Sequence, residues 1–369
     1  MPGVQAAVLS GASRGAVRVI SFVEINGRRI GPGYPVYVVA EMSANHNQDF
    51  QHALKILEAA KEAGADAIKL QTYTPDTLTI PCNNPYFRIE GTLWSGRTLY
   101  DLYEEAYTPW DWQPKLKDAA YQLGIDLFST PFDGTAVDFL EDMGMPAFKI
   151  ASFENVDLPL LRRVARTGKP IIISTGMATL SEIDEAVRTL REAGCRQIAL
   201  LKCTSAYPAL PEEMNLRTIP HLSEAFGVPV GLSDHTLDVA VPVSAVTLGA
   251  CIVEKHFTLS RSQPGPDSAF SLEPDEFRVM VDAVRTAEKA VGKVHYGFSE
   301  KEAQSRVFRR SLFVVKDVKS REVFTEENVR SIRPGHGLHT RHLEDVLGRQ
   351  ASQDISAGTP LTWSLVVGG

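Results

Sequence analysis

The stretch from Gly231-Leu232-Ser233-Asp234-His235-Thr236 to Val253-Glu254-Lys255-His256-Phe257 decides the fold. Each histidine follows a short apolar run, Val228 to Leu232 and Ala250 to Val253, of the kind that forms a buried strand. Val239 to Leu248 between them has helical spacing, which makes the unit strand–helix–strand. Strands joined in this way are parallel neighbours with their carboxyl ends on one side. His235 and His256 then emerge side by side. Two neutral imidazoles with open positions beside them suit a divalent metal that also holds a substrate. They equally suit two hydrogen-bonded histidines in a polar mouth, and the pair alone leaves both readings open.

The same rhythm extends outward. Eight β-branched runs precede residue 260: Val36–Ala40, Ala67–Leu70, Asp126–Phe128, Ala147–Ile150, Pro170–Ser174, Gln197–Leu201, Val228–Leu232 and Ala250–Val253. Amphipathic stretches such as Phe50–Ala63 and Ser181–Ala193 separate them, and several end at glycine, as a left-handed helix cap requires. The pattern predicts a (β/α)₈ TIM barrel. A doubly wound open sheet is the rival, but no glycine-rich phosphate loop follows the first strand.

Barrel enzymes work at the carboxyl ends of their strands. Those ends supply Glu41, Ser43, Asn45, His46, Lys69, Gln71, Thr130, Lys149, Ser152, Ser174, Lys202, Ser205, Tyr207, Ser233, Asp234, His235, Glu254, Lys255 and His256. Any single hydroxyl here suits a turn or cap. Lysines are harder to place structurally, because burying an unpaired ammonium is costly. Together they form a site for an anion. One insertion, Thr74 to Trp112, is long and rich in aromatics, including Trp94, Tyr103, Trp110 and Trp112. A loop of that size is usually functional. Its aromatics cover a sugar face or pack the loop down.

The 369 residues hold a large domain and a small one. Apolar content of 44% and charged content of 22% are those of a globular protein with a sizeable core. The formal charge of −7, with no basic stripe, argues against nucleic acid. No run reaches transmembrane length, so no membrane partner is expected. Cys82, Cys195, Cys203 and Cys251 show no disulfide framework, which points to a reducing cytoplasm. The expected divisions are a disordered extension over 1–20, a catalytic barrel over 21–295, a polar linker over 296–310 and a small α+β domain over 311–369.

Several motifs resemble the sialic acid synthase family. They are Ala40-Glu41-Met42-Ser43-Ala44-Asn45-His46, Ile68-Lys69-Leu70-Gln71, Lys149-Ile150-Ala151-Ser152, Ser174-Thr175-Gly176-Met177, Gly231 to Thr236 and Glu254-Lys255-His256-Phe257. The tail, with Ile332-Arg333-Pro334-Gly335-His336-Gly337, is similar to that family's antifreeze-like (SAF) domain. Gly91-Thr92-Leu93-Trp94, Leu99 to Pro109 and Asp267 to Leu272 resemble its pseudaminic acid synthase branch. The resemblance implies condensation of phosphoenolpyruvate with an N-acetylated amino-deoxy aldose, releasing phosphate and leaving a nine-carbon 2-keto acid. For that branch the aldose is 2,4-diacetamido-2,4,6-trideoxy-L-altrose. Ser205 and Lys202 stand where sialic-type members carry Asn and His, whereas Pro264-Gly265-Pro266-Asp267 is closer to the sialic type. N-acetylneuraminate and legionaminate synthases are therefore the alternatives.

What the resemblance implies for the site is specific. A divalent metal, Mn²⁺ with Mg²⁺ or Co²⁺ as alternatives, sits on His235 and His256 and polarises the aldehyde. Glu41 is the candidate base for the water that attacks carbon 2. Lys69, Thr130, Lys149, Ser152, Ser174 and Ser233 hold phosphoenolpyruvate. Gln71, Tyr207 and Asp267 meet the sugar. Arg333 reaches the neighbouring subunit's barrel, which implies a domain-swapped homodimer. Two readings from other classes compete: a Schiff-base aldolase using Lys149 or Lys202, and a non-catalytic sugar-binding module.

Overall fold

The computed structural model describes residues 22–368. The expected extension over 1–20 lies outside them. Chain contacts divide into two compact units, one ending at Gly292 and one beginning at Lys293.

The first unit opens with a hairpin that the apolar-run reading passed over. Strands β1 (Val23–Ile25) and β2 (Arg28–Ile30) pair antiparallel across Asn26-Gly27. Both turn residues have positive φ, 48° and 79°, which is what Asn-Gly supplies in a tight hairpin. Val23, Ile25 and Ile30 are fully buried among Tyr37, Val39, Phe128 and Ile172, residues of the barrel interior. The hairpin therefore plugs the amino end of the barrel. Arg28 pairs with Asp66 at 2.7 Å and fastens the plug from outside.

Eight parallel strands follow: β3 (Tyr37–Glu41), β4 (Ala67–Thr72), β5 (Asp126–Pro131), β6 (Phe148–Ile150), β7 (Ile171–Ser174), β8 (Ile198–Cys203), β9 (Val230–Asp234) and β10 (Ile252–His256). They close in the order β10-β3-β4-β5-β6-β7-β8-β9. The predicted (β/α)₈ TIM barrel is present. Several strands run a few residues further toward the carboxyl end than the apolar runs suggest, because their last residues are the polar ones that line the mouth. Helix Phe50–Glu62 shows how the outer layer forms. Asp49 caps its first turn, and Ala53, Ile56, Leu57 and Ala60 put one face on the barrel.

Side chains alternate across each strand, so register decides what enters the barrel. On β10, Ile252 joins the interior cluster and Val253 the outer one. Glu254 and His256 therefore face in, and Lys255 faces out. Asp234 likewise leaves the axis and meets Lys255 Nζ at 2.5 Å in a fully buried pair. These two belong to the wall between strands and helices, not to the polar mouth. Gly231 faces in, where a Cβ would collide with the Ile252 carbonyl and lie 2.7 Å from Leu201 Cδ2. Only glycine fits there.

In the second unit β11 (Ser311–Val314) pairs with β12 (Val329–Ile332), and β13 (Gln350–Ala351) with β14 (Val366–Val367). Leu312, Val314, Phe324, Val329, Val346 and Leu361 form its core. The stretch expected as a bare linker contains helix Glu300–Ser305, which Ser299 and Glu302 cap reciprocally. Arg333 follows β12 directly and is exposed.

Candidate active site

The strand register assembles the inner ring. Glu41 pairs with His256 on one side and Lys69 on the other, and Gln71 pairs with Thr130. All of these point into a cup at the carboxyl end, and all but Gln71 are buried. Lys69 Nζ lies 2.8 Å from Glu41 Oε2, 3.4 Å from Glu254 Oε1 and 3.3 Å from Thr130 Oγ1. Lys149 Nζ lies 3.5 Å from the same Glu254 oxygen and donates to Ser174 Oγ at 2.6 Å. Ser233 Oγ donates to Glu254 Oε1 at 3.4 Å. One carboxylate thus binds together both lysines that were assigned to the anion.

Glu254 is the strand-end residue to which the motif reading gave no role. Its place two residues before His256, on the same face of one strand, was the available signal. Burial works against its ionisation, but Lys149 and then Lys69 outweigh burial and hold its carboxyl below the usual range. Glu41 differs: burial pushes its carboxyl up, the Glu254 charge adds to that, and Lys69 only partly opposes it. Two neighbouring carboxyls are driven apart, and Glu41 is the one that exchanges a proton most readily. For Lys149, burial lowers the ammonium despite Glu254.

Ser152 sits just above. Its Oγ accepts from the Gly176 amide at 3.1 Å. A Cβ on Gly176 would run into Ser205 Oγ and come within 2.7 Å of Ser152 Oγ, so this corner is a small cradle of hydroxyls and an amide. Glu154 lies on the same short 3₁₀ turn, Ser152–Glu154. Burial pushes its carboxyl up to about 7, and its Oε2 finds no hydrogen-bond partner among the described residues.

The two histidines lie with ring centroids 5.3 Å apart. His235 Nδ1 hydrogen-bonds to the Thr204 carbonyl at 2.8 Å, so that nitrogen carries the proton and Nε2 is left bare. His256 Nδ1 is buried and unpartnered among the described residues, as is Glu254 Oε2. Burial, followed by the neighbouring cations, pushes His256 well below its ordinary range and keeps it neutral. A divalent ion fits these residues. Two neighbouring rings of this kind would hold one ion between them. No third His, Cys, Asp or Glu joins them in a metal cluster among the described residues, which leaves the other coordination positions for substrate or water. Charge agrees: two ammonium groups face two carboxyls, so the cup has no surplus cation for an anion until one is added.

The sugar-side residues form a second chain. Gln71 Nε2 donates to Glu41 Oε1 at 2.9 Å and to Ser43 Oγ at 2.7 Å. Ser43, held at a positive φ of 44°, donates in turn to Asp267 Oδ2. Tyr207 packs against His235 with ring centroids 4.5 Å apart and the rings tilted by 51°. The structure therefore gathers Glu41, Lys69, Gln71, Thr130, Lys149, Ser152, Ser174, Tyr207, Ser233, His235, His256 and Asp267 at one mouth. Arg333 belongs to the second unit. Lys202 does not face in: Ala199 and Leu201 on its strand join the interior cluster, so Lys202 points outward and bonds the Cys203 carbonyl at 2.7 Å. That removes it as a Schiff-base candidate.

Most insertion aromatics pack the insertion down. Trp110 stacks on Phe139 at 4.7 Å and donates to the Tyr73 carbonyl, while Trp112 meets His46 and Phe50. His46 accepts from the Gln48 amide and lies 3.2 Å from Thr108 Oγ1; burial lowers it to about 4. It is a neutral anchor for the loop.

Barrel enzymes act at this end, and a cup that sets each ammonium against a carboxyl beside two imidazoles defines an enzyme of anionic substrates. The chain belongs to the NeuB family, whose profile matches residues 56–296, and a SAF domain follows over 309–367. It is 48% identical over 326 residues to the pseudaminic acid synthase of Campylobacter jejuni, covering 88% of this chain and 95% of that one. It is 46% identical to the pseudaminic acid synthase of Helicobacter pylori, covering 89% and 97%. Among solved structures it resembles the N-acetylneuraminic acid synthetase of Leptospira borgpetersenii in complex with citrate. That match has a TM-score of 0.70 and 30% identity, and it covers 78% of this chain and 95% of that one.

Proposed function

We propose that the protein is a pseudaminic acid synthase, condensing phosphoenolpyruvate with 2,4-diacetamido-2,4,6-trideoxy-L-altrose and releasing phosphate. The observation that carries the reaction class is the cup itself, in which Lys69, Lys149 and four hydroxyls converge beside His235 and His256. The choice of sugar rests on the likeness to two pseudaminic acid synthases.

Lys69, Lys149 and the Ser152–Gly176 cradle receive the carboxylate and phosphate of phosphoenolpyruvate, with Thr130, Ser174 and Ser233 adding directional donors. Gln71, Tyr207 and Asp267 orient the aldose. Carbon 3 of phosphoenolpyruvate forms a bond to the aldehyde carbon, whose oxygen takes up a proton. Glu41 accepts a proton from the water that attacks carbon 2. The carbon–oxygen bond to phosphate then breaks and leaves the 2-keto acid. His235 and His256 would hold a divalent cation, Mn²⁺ before Mg²⁺ or Co²⁺, which when bound supplies Lewis-acid polarisation of the aldehyde.

The protein works in the cytoplasm as a domain-swapped homodimer, with Arg333 offered to the partner's sugar. Three features support this. The four cysteines are free, and no helix among the described residues is long and apolar enough to cross a membrane. Phe153, Met177, Leu180 and Leu210, in the segments that follow the strands at the mouth, are more than half exposed and give the rim an apolar surface to cover.

The test is phosphate release from phosphoenolpyruvate by metal-stripped and then Mn²⁺-restored protein, offered the altrose derivative, its legionaminic counterpart and N-acetylmannosamine. Metal-dependent release with the altrose sugar alone is the expected result. Release with another aldose moves the sugar assignment and keeps the reaction. Metal-independent release, or none, overturns the two-histidine mechanism.

A further inference from the structure

We propose that Trp94 is the positioning residue for the sugar: it holds Tyr207 and Asp267 in place together, and so governs how the aldose binds without governing phosphoenolpyruvate. The inference rests on the reading that Tyr207 and Asp267 meet the sugar.

Trp94 belongs to the tip of the insertion. The bridge between Arg88 and Thr98 and the Ile89–Arg97 amide bond close that tip into a short loop. Below it, the body of the insertion is fixed independently. Gln48 Nε2 donates to the Glu105 and Tyr107 carbonyls, and Trp110 donates to Tyr73. The tip is therefore carried on a stapled base and presents one indole toward the mouth.

That indole makes two attachments to two different strand-end loops. Its Nε1 donates to the Pro266 carbonyl at 2.8 Å, one residue before Asp267. Its ring packs against Tyr207 at 5.7 Å between centroids and, edge-on, against Phe270 at 6.4 Å. Tyr207 follows β8, whereas Asp267 and Phe270 follow β10. The Pro264-Gly265-Pro266 run cannot donate from either proline, so a carbonyl is what it offers for anchoring. Trp94 takes that carbonyl. Phe270 packs in turn on Tyr207 and on His256, which completes an aromatic wall running from the insertion to the metal-site histidines.

The wall has a matching ligand chemistry. A flat indole, a phenol ring and a phenyl ring present apolar faces beside the Asp267 carboxyl, which burial pushes up from its ordinary value. An aldose with methyl-bearing substituents on one face and hydroxyls on the other fits such a wall. The phosphoenolpyruvate half is built differently. Lys69 and Lys149 are placed by strand register and by Glu254, and neither depends on the insertion.

The experiment compares wild type with W94F, which loses the indole N–H, and W94L, which loses the ring. Aldose and phosphoenolpyruvate are varied separately, and thermal unfolding is recorded for each protein. W94L should raise KM for the aldose about tenfold, and W94F less, in line with the loss of one pocket contact. KM for phosphoenolpyruvate should stay within about twofold. An unchanged aldose KM in both variants overturns the proposal, and so does an equal rise in both KM values. If W94L fails to fold, W94F decides alone. Wild-type turnover separates the two layers of inference: if another aldose is the true substrate, the variants are assayed with that aldose, and the Trp94 prediction stands or falls on its own.

Discussion

Lys149 on β6 and Glu254 on β10 face each other at 3.5 Å across the barrel, from opposite sides of its wall, both almost fully buried. Glu254 offsets part of the burial that lowers this ammonium and holds it in place for an anion. Glu254→Ala strands Lys149 and takes one of the two carboxylates from Lys69. Breaking such a pair costs about 3–5 kcal/mol, which thermal or denaturant unfolding measures. Phosphoenolpyruvate should then stabilise the variant more than it stabilises wild type, because the anion neutralises the freed ammonium groups. Equal shifts in the two proteins would show that Glu254 does not guard the lysines.

Removing the metal tests the histidine pair. Chelation should abolish phosphate release and Mn²⁺ should restore it in wild type. His235→Gln or His256→Gln should lower metal affinity by at least about 10–100-fold, the size of loss that follows damage to a metal shell. Mn²⁺ titration of activity and of bound metal checks both.

Glu154 gives a pH dependence whose sign is fixed by its raised carboxyl. An ordinary value of 4.5 becomes about 7 in the folded chain, so the native state holds this proton more tightly than the unfolded state. The associated stability is fully present below about pH 4.5 and is lost as pH rises to about 7. Glu154→Gln removes that loss. The variant should gain on wild type through this window by about 1–3 kcal/mol at pH 8, a figure reduced for the group's partial exposure. Unfolding curves from pH 5 to 8 that run parallel for the two proteins would contradict it.

Lys255 lies among the mouth motifs in sequence but in the wall in space. Lys255→Met should cost about 3–5 kcal/mol by leaving Asp234 charged and buried, and Asp234→Leu added to it should recover much of the loss. In the folded fraction, KM for phosphoenolpyruvate should not change. A large rise in that KM would put Lys255 back in the cup.

The barrel was legible because its evidence is local. Eight apolar runs separated by amphipathic helices need no knowledge of tertiary contacts. The inner ring was legible for the same reason, since strand ends define it. What escaped depended on direction. Lys202 and Lys255 sit beside true cup residues in the chain, and only the alternation of the strand, set by Leu201 and Val253, sends them outward. Glu254 escaped because its role arises from two lysines on other strands. The plug hairpin was the avoidable miss: Val23-Glu24-Ile25 and Arg28-Arg29-Ile30 around Asn26-Gly27 carry a strong local turn signal. The insertion was legible as a functional loop, but its aromatics could not be placed in advance. Composition does not say that Trp110 and Trp112 pack inward while Trp94 reaches Pro266.

The hairpin has a consequence for traffic. With Val23, Ile25 and Ile30 sealing the floor, the barrel formed by the described residues is a vessel that opens at its carboxyl end. Whatever binds deepest must arrive first, and whatever it sheds must leave past whatever came in later. On the proposed reaction, departing phosphate and the finished nine-carbon acid would share the corridor by which phosphoenolpyruvate and the aldose came in.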